Sequence, residues 1–155
     1  MAPLQPVEAG YRHVLRLRLA FFWLPLIVGG VILDNALLAD SPFYGLASAV
    51  PPLIALAVII LAPDRIYQRL RYGLTERLLQ VARGWLVHTD TIVPFVRVQH
   101  LDVTRGPLDK MFGTATLIVH TAGTRNSIVT VPGLAPERAA EIRDIIREHI
   151  RTDFA

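Results

Sequence analysis

The stretch Ser41–Pro63, SPFYGLASAVPPLIALAVIILAP, holds 23 residues without a formal charge and is bounded by Asp40 and Asp64. A bilayer-spanning helix needs about 20 mostly apolar residues, so this segment predicts a transmembrane helix. Upstream, Leu19–Leu33 (LAFFWLPLIVGGVIL) is an uncharged run of 15, too short by itself. Helix can continue toward Ala39 past Asp34 and Asn35, and Arg16 and Arg18 can snorkel at its start. Two spans are expected, about 14–38 and 42–64, joined by a turn near Asp34 to Ser41. So short a connection makes them antiparallel neighbours, a hairpin over 14–66 with both chain ends on one side.

Arginine placement gives the side, because cytoplasmic flanks retain Lys and Arg. Arg12, Arg16 and Arg18 precede the first span, and Arg65, Arg69, Arg71 and Arg77 follow the second, whereas the turn carries only Asp34 and Asp40. An integral protein of the bacterial cytoplasmic membrane is expected, with residues 1–13 as a cytoplasmic tail and the C-terminal domain on the same face. A cleaved leader over residues 1–39 competes with this, since positive residues precede an apolar stretch. Leu37 spoils the small-residue pattern that cleavage before residue 40 requires. Pro25 with Gly29-Gly30, and Pro51-Pro52, predict kinks. They read as tolerated bending, because no ionisable group lies at the middle depth of either span, where a conducted ion would need one.

The 155 residues are 52% apolar, with mean hydropathy +0.42, and the spans account for the excess. Length points to one ordinary domain beyond them. No cysteine is present, which excludes disulfides, thiolate metal sites, iron–sulfur clusters and cysteine nucleophiles. Sixteen basic against 13 acidic residues is a mild surplus without a concentrated basic face, so no nucleic-acid partner is expected.

After Arg71 the pattern breaks into short alternating segments punctuated by Gly and Pro, as β-strands do. Leu79, Val81, Trp85 and Val87 share one parity around Arg83-Gly84, which predicts two strands facing one core. Between Val96-Val98 and Leu101-Val103 the parity switches, predicting a bulge near Gln99-His100. Leu117 with Val119 and Val129 with Val131 are the inward pairs of a later hairpin turning at residues 122–126, and Pro107–Phe112 suits one helical turn. Ile142, Ile145, Ile146, His149 and Ile150 fall at helical spacing, predicting an amphipathic helix over about 136–151 with Pro136 in its first turn. Six or seven strands and one helix in residues 68–151 predict a small barrel or bent sandwich capped by that helix.

These residues resemble the YdbS-like bacterial pleckstrin-homology family (DUF304, bPH2), in which two transmembrane helices precede a PH-like domain. The resemblance rests on Tyr72-Gly73-Leu74-Thr75, Gly84, Ile92-Val93-Pro94, Arg97-Val98-Gln99, Gly106-Pro107-Leu108, Phe112-Gly113, Leu117 and Thr121-Ala122-Gly123. Val98 stands where the family commonly has Ile, and Glu76-Arg77 where a polar turn residue follows Thr75. Pro94, Gln99, Gly106, Pro107 and Gly113 are the motif positions; the glycines suit turns with positive φ or close backbone approach, the prolines strand ends. The fold class implied is an α+β membrane protein, a two-helix hairpin followed by a PH-like domain. A different anchored β-domain, an OB-like barrel of the NfeD type, is disfavoured by the terminal helix.

No phosphate loop, dinucleotide fingerprint, zincin helix or nucleophile elbow is present. The best polar constellation is His88 with Asp90 and His100 with Asp102, pairs at i, i+2 on strands that could be adjacent, with His120 further along the chain. The apolar parity puts these on the solvated face, where a metal would lack a dry supporting shell. No metal, no cofactor and no enzymatic activity are expected. The expected function is a scaffold holding partner proteins at the cytoplasmic membrane face, through a sheet edge or the groove beside the terminal helix. The resemblance implies another membrane PH-like protein, or self-association. The alternative is a receptor for anionic lipid headgroups through Arg97, Arg105, Lys110 and Arg125, with Arg65, Arg69 and Arg71 as juxtamembrane lipid contacts.

Overall fold

The computed structural model describes residues 3–123 and 127–153. The chain divides into two compact units, residues 12–64, and residues 1–11 with 65–155.

The first unit is built from helices α1 (Gly10–Leu37) and α2 (Leu46–Arg69), each continuous through its prolines. Only 6% of the most apolar window of α1 and 17% of that of α2 is buried, so neither is the core helix of a soluble protein. Phe21, Phe22, Leu24, Leu53 and Leu56 point their side chains outward, a surface suited to lipid tails. Polar clasps hold the pair at both ends. Near the turn, Ser48 N–H in the first turn of α2 donates to Asp34 Oδ2 at 2.7 Å, so the one acid inside α1 caps its neighbour. At the other end Arg16 donates to Asp64 at 3.2 Å, with Arg12 at 3.6 Å. Between the clasps, Gly30 lets the Ala47 carbonyl approach where a Cβ would stand, whereas Gly29 has open space.

The second unit is a sandwich of two antiparallel sheets, and not a closed barrel. One sheet has the order β1 (Gln5–Pro6), β2 (Arg71–Leu74), β3 (Leu78–Arg83), β4 (Thr89–Pro94). The other has β5 (Val98–Thr104), β6 (Ala115–Thr121), β7 (Ile128–Leu134). A 3-10 turn at Phe95–Arg97 carries the chain from one sheet to the other. Leu79, Val81 and Val93 from the first sheet meet Leu117, Val119, Val129 and Val131 from the second, all fully or nearly buried. Each contributes about 1.5–3 kcal/mol by leaving water. Helix α4 (Pro136–Asp153) adds Ala139, Ile142 and Ile146, and His149 stacks edge-on against the buried Phe95 ring with centroids 5.4 Å apart. Ile145 is exposed, so the helix buries a narrower stripe than its five-residue pattern predicted.

The bulge falls where the parity switch placed it, between Val98 and His100. The short helix α3 (Pro107–Phe112) is also as expected. Gly113 closes it in the left-handed region, φ 68°, while Gly106 has φ −75° and serves by close approach, its N–H donating to Asp109 Oδ2. Buried Asp109 also accepts from Thr114 Oγ1 at 2.8 Å.

Two features depart from the sequence reading. Trp85 and Val87 are exposed and belong to a loop, residues 84–88, not to a second inward strand. The chain leaves the sheet at Gly84, where φ is +154° and a Cβ would strike the Val87 carbonyl, so the alternation beyond it no longer maps onto the sheet. The N-terminal tail also adds a strand. Gln5 and Pro6 pair with Tyr72 and Arg71, and Glu8 N–H donates to the Gly133 carbonyl of β7 at 2.7 Å, so this segment bridges the two sheets at one corner.

Candidate functional site

Among the described residues β4 has one neighbour, β3, and its other side is a sheet edge. The direction of its free groups follows from the register. Phe95 N–H donates to the Arg77 carbonyl at 3.0 Å, and bonded pairs alternate along an antiparallel ladder. Leu79–Val93, Val81–Thr91 and Arg83–Thr89 are then the bonded pairs, and Asp90 and Ile92 turn their N–H and C=O groups to the open edge. Pro94, lacking an N–H, falls in a non-bonded pair, as its chemistry requires. Beside this edge lies a cavity of about 320 Å³, walled by β4 and closed by Arg97, Thr121, Ala122, Gly123 and Val129. Ile92 is 54% exposed at its rim. An unpaired ladder next to a side-chain cavity is what an added strand requires, main-chain bonds for affinity and a pocket for selection.

A smaller groove of about 180 Å³ runs between β5 and α4, lined by Val98, Gln99, His100, Leu101, Arg147 and Ile150. The motif residue Gln99 is thus exposed at the bulge rather than packed. On the outer side of α4, Arg143 hydrogen-bonds Asp144 and holds that carboxyl below its ordinary range. Arg138 is raised above its usual value, chiefly by Glu141 and then by Tyr72 of β2.

The polar constellation is only partly assembled. His100 Nε2 lies 2.9 Å from Asp102 Oδ1, and His120 Nε2 lies 3.3 Å from Asp102 Oδ2. Both ring nitrogens face the carboxylate instead of converging on a common point, and among the described residues no group of three acids or histidines is placed to hold a metal. His88 and Asp90 do not join them, because β4 and β5 belong to different sheets; Asp90 instead accepts from Gln80 at 2.7 Å.

Of the four basic positions considered for a headgroup pocket, Arg97 is set apart from Arg105 and Lys110. Arg97 precedes β5, while Arg105 follows it and bonds the Thr114 carbonyl, with Lys110 exposed on the nearby α3. A seven-residue strand separates Arg97 from Arg105, eight steps of the chain or about 26 Å at strand rise. Arg125 lies outside the described residues. Arg65, Arg69 and Arg71 are all exposed around the end of α2 and the start of β2. The Arg69 guanidinium donates to the Trp85 carbonyl at 3.0 Å. Sequence reasoning missed that contact, since it had placed Trp85 in the core.

A family model described as Bacterial PH domain matches residues 19–150. The chain is 37% identical over 102 residues to the UPF0699 transmembrane protein YdbS of Bacillus subtilis (strain 168). That match covers 66% of this chain and 62% of the relative, so the chain spans less than two thirds of the relative's length. No solved structure matches it.

Proposed function

Because the chain belongs to the bacterial PH domain family of membrane proteins, we propose that it is a non-enzymatic scaffold whose β4 edge accepts an extended segment of a partner protein. The partner is another membrane PH-like protein or a second copy of this chain. The hairpin anchors the sandwich, and the arginines flanking both spans support a cytoplasmic location for the sandwich and both termini. The observation that carries the reading is the outward-turned ladder of Asp90 and Ile92 beside the 320 Å³ cavity. A single headgroup pocket built from Arg97, Arg105, Lys110 and Arg125 has no comparable support, since Arg97 and Arg105 sit at opposite ends of β5.

The test is photo-cross-linking from position 122, at the cavity wall, in native membranes containing the full chain. A discrete adduct is expected, lost when Ile92→Pro removes the outward donor while leaving the bonds to β3. An adduct indifferent to Ile92→Pro, or none, would refute the β4 edge as the docking site. The mass of the adduct separates a second copy from a different protein.

A further inference from the structure

We propose that the loop Gly84–His88 inserts its apolar tip into the headgroup layer of the membrane that the chain itself spans, docking the sandwich on lipid. The tip is Trp85-Leu86-Val87, exposed by 41%, 85% and 75% of their surfaces. Three consecutive exposed apolar residues at a loop tip are unusual for a surface that meets only water. Below them Ile66, Leu70, Trp85, Val87 and Pro132 line a crevice of about 300 Å³, so the apolar surface runs on into the end of α2.

The occupant follows from where this tip is tethered. Arg69 Nη1 binds the Trp85 carbonyl, and Arg69 is the last residue of α2, the helix that contains the second span. Asp64, which ends the uncharged run, is five residues back, about 8 Å of helix rise. The headgroup layer is about 5–8 Å thick on each side of a bilayer, so a loop tied to a residue this close along the chain to the end of the span has the headgroups within reach. Tryptophan is the residue enriched at that depth, with an apolar ring and an N–H donor. Arg83 lines the same crevice and Arg69 binds the tip itself, and anionic headgroups attract that charge. Gly84 makes the turn possible, because the tip folds back until the Val87 carbonyl occupies the place of a Cβ.

The test uses the full chain in phosphatidylcholine–phosphatidylglycerol vesicles, carrying Trp23→Phe so that Trp85 is the sole tryptophan. Its emission is expected to be blue-shifted, shielded from aqueous acrylamide, and quenched more by lipids brominated near the glycerol end than near the methyl end. Leu86→Asp with Val87→Asp should restore acrylamide access. The difference between the unaltered chain and Trp85→Phe reads the same quantity without touching Trp23. Full acrylamide quenching of the parent would overturn the proposal. So would shielding without quenching by brominated lipid, which would mean that protein covers the tip.

Discussion

Arg69 and Trp85, sixteen residues apart, are joined by a guanidinium-to-carbonyl hydrogen bond of 3.0 Å, so the end of the second membrane helix grips the main chain of an apolar loop. The bond is exposed, and such a bond contributes about 1 kcal/mol or less to stability. Its effect is on the loop. Arg69→Ala is expected to leave the thermal midpoint nearly unchanged while lowering the fluorescence anisotropy of Trp85 in the Trp23→Phe background. Unchanged anisotropy would show that the loop is held by other contacts.

Adjacent glycines in α1 should respond oppositely to one methyl group. Gly29→Ala meets open space, whereas Gly30→Ala drives a Cβ into the Ala47 carbonyl. Backbone cannot swing aside as a flexible side chain does, so Gly30→Ala should destabilise the hairpin by about 1–3 kcal/mol, the usual range for overpacking. Unfolding of the two variants in mixed micelles measures the difference.

Asp109 is 3% exposed and serves two donors, Gly106 N–H and Thr114 Oγ1. Asp109→Ala leaves both without that acceptor and should cost about 1–3 kcal/mol, read as a lower thermal midpoint. Asp109→Asn retains one acceptor oxygen and should lose less. Thr114→Val, which deletes the other partner, should cost less in the Asp109→Ala background than alone.

Much of this architecture is legible in the residues. Ser41–Pro63 has the length of a span and no charge, and the helix it enters buries only 17% of its most apolar window. Leu117, Val119, Val129 and Val131 alternate because one face of each strand meets the core, and the bulge announces itself as a change of parity. The loop at Trp85 was misread for a physical reason. Period-two alternation reports side-chain direction only while the strand continues, and the chain turns out of the sheet at Gly84 without breaking the alternation in the letters. Gln5–Pro6 is too short to carry a period at all; its pairing is set by Tyr72 and Arg71, 65 or more residues away. The separation of Arg97 from Arg105 needs the length of β5, and the open edge of β4 needs the strand order, neither of which spacing supplies.

The most direct measurement is amide hydrogen exchange at Ile92 in the full chain, in nanodiscs alone and then with the protein cross-linked from position 122. Alone, the Ile92 amide should exchange rapidly while its neighbour Val93, bonded to Leu79, is protected. With the partner present, Ile92 should become as protected as Val93. An Ile92 amide that exchanges equally fast in both states would contradict strand addition at β4.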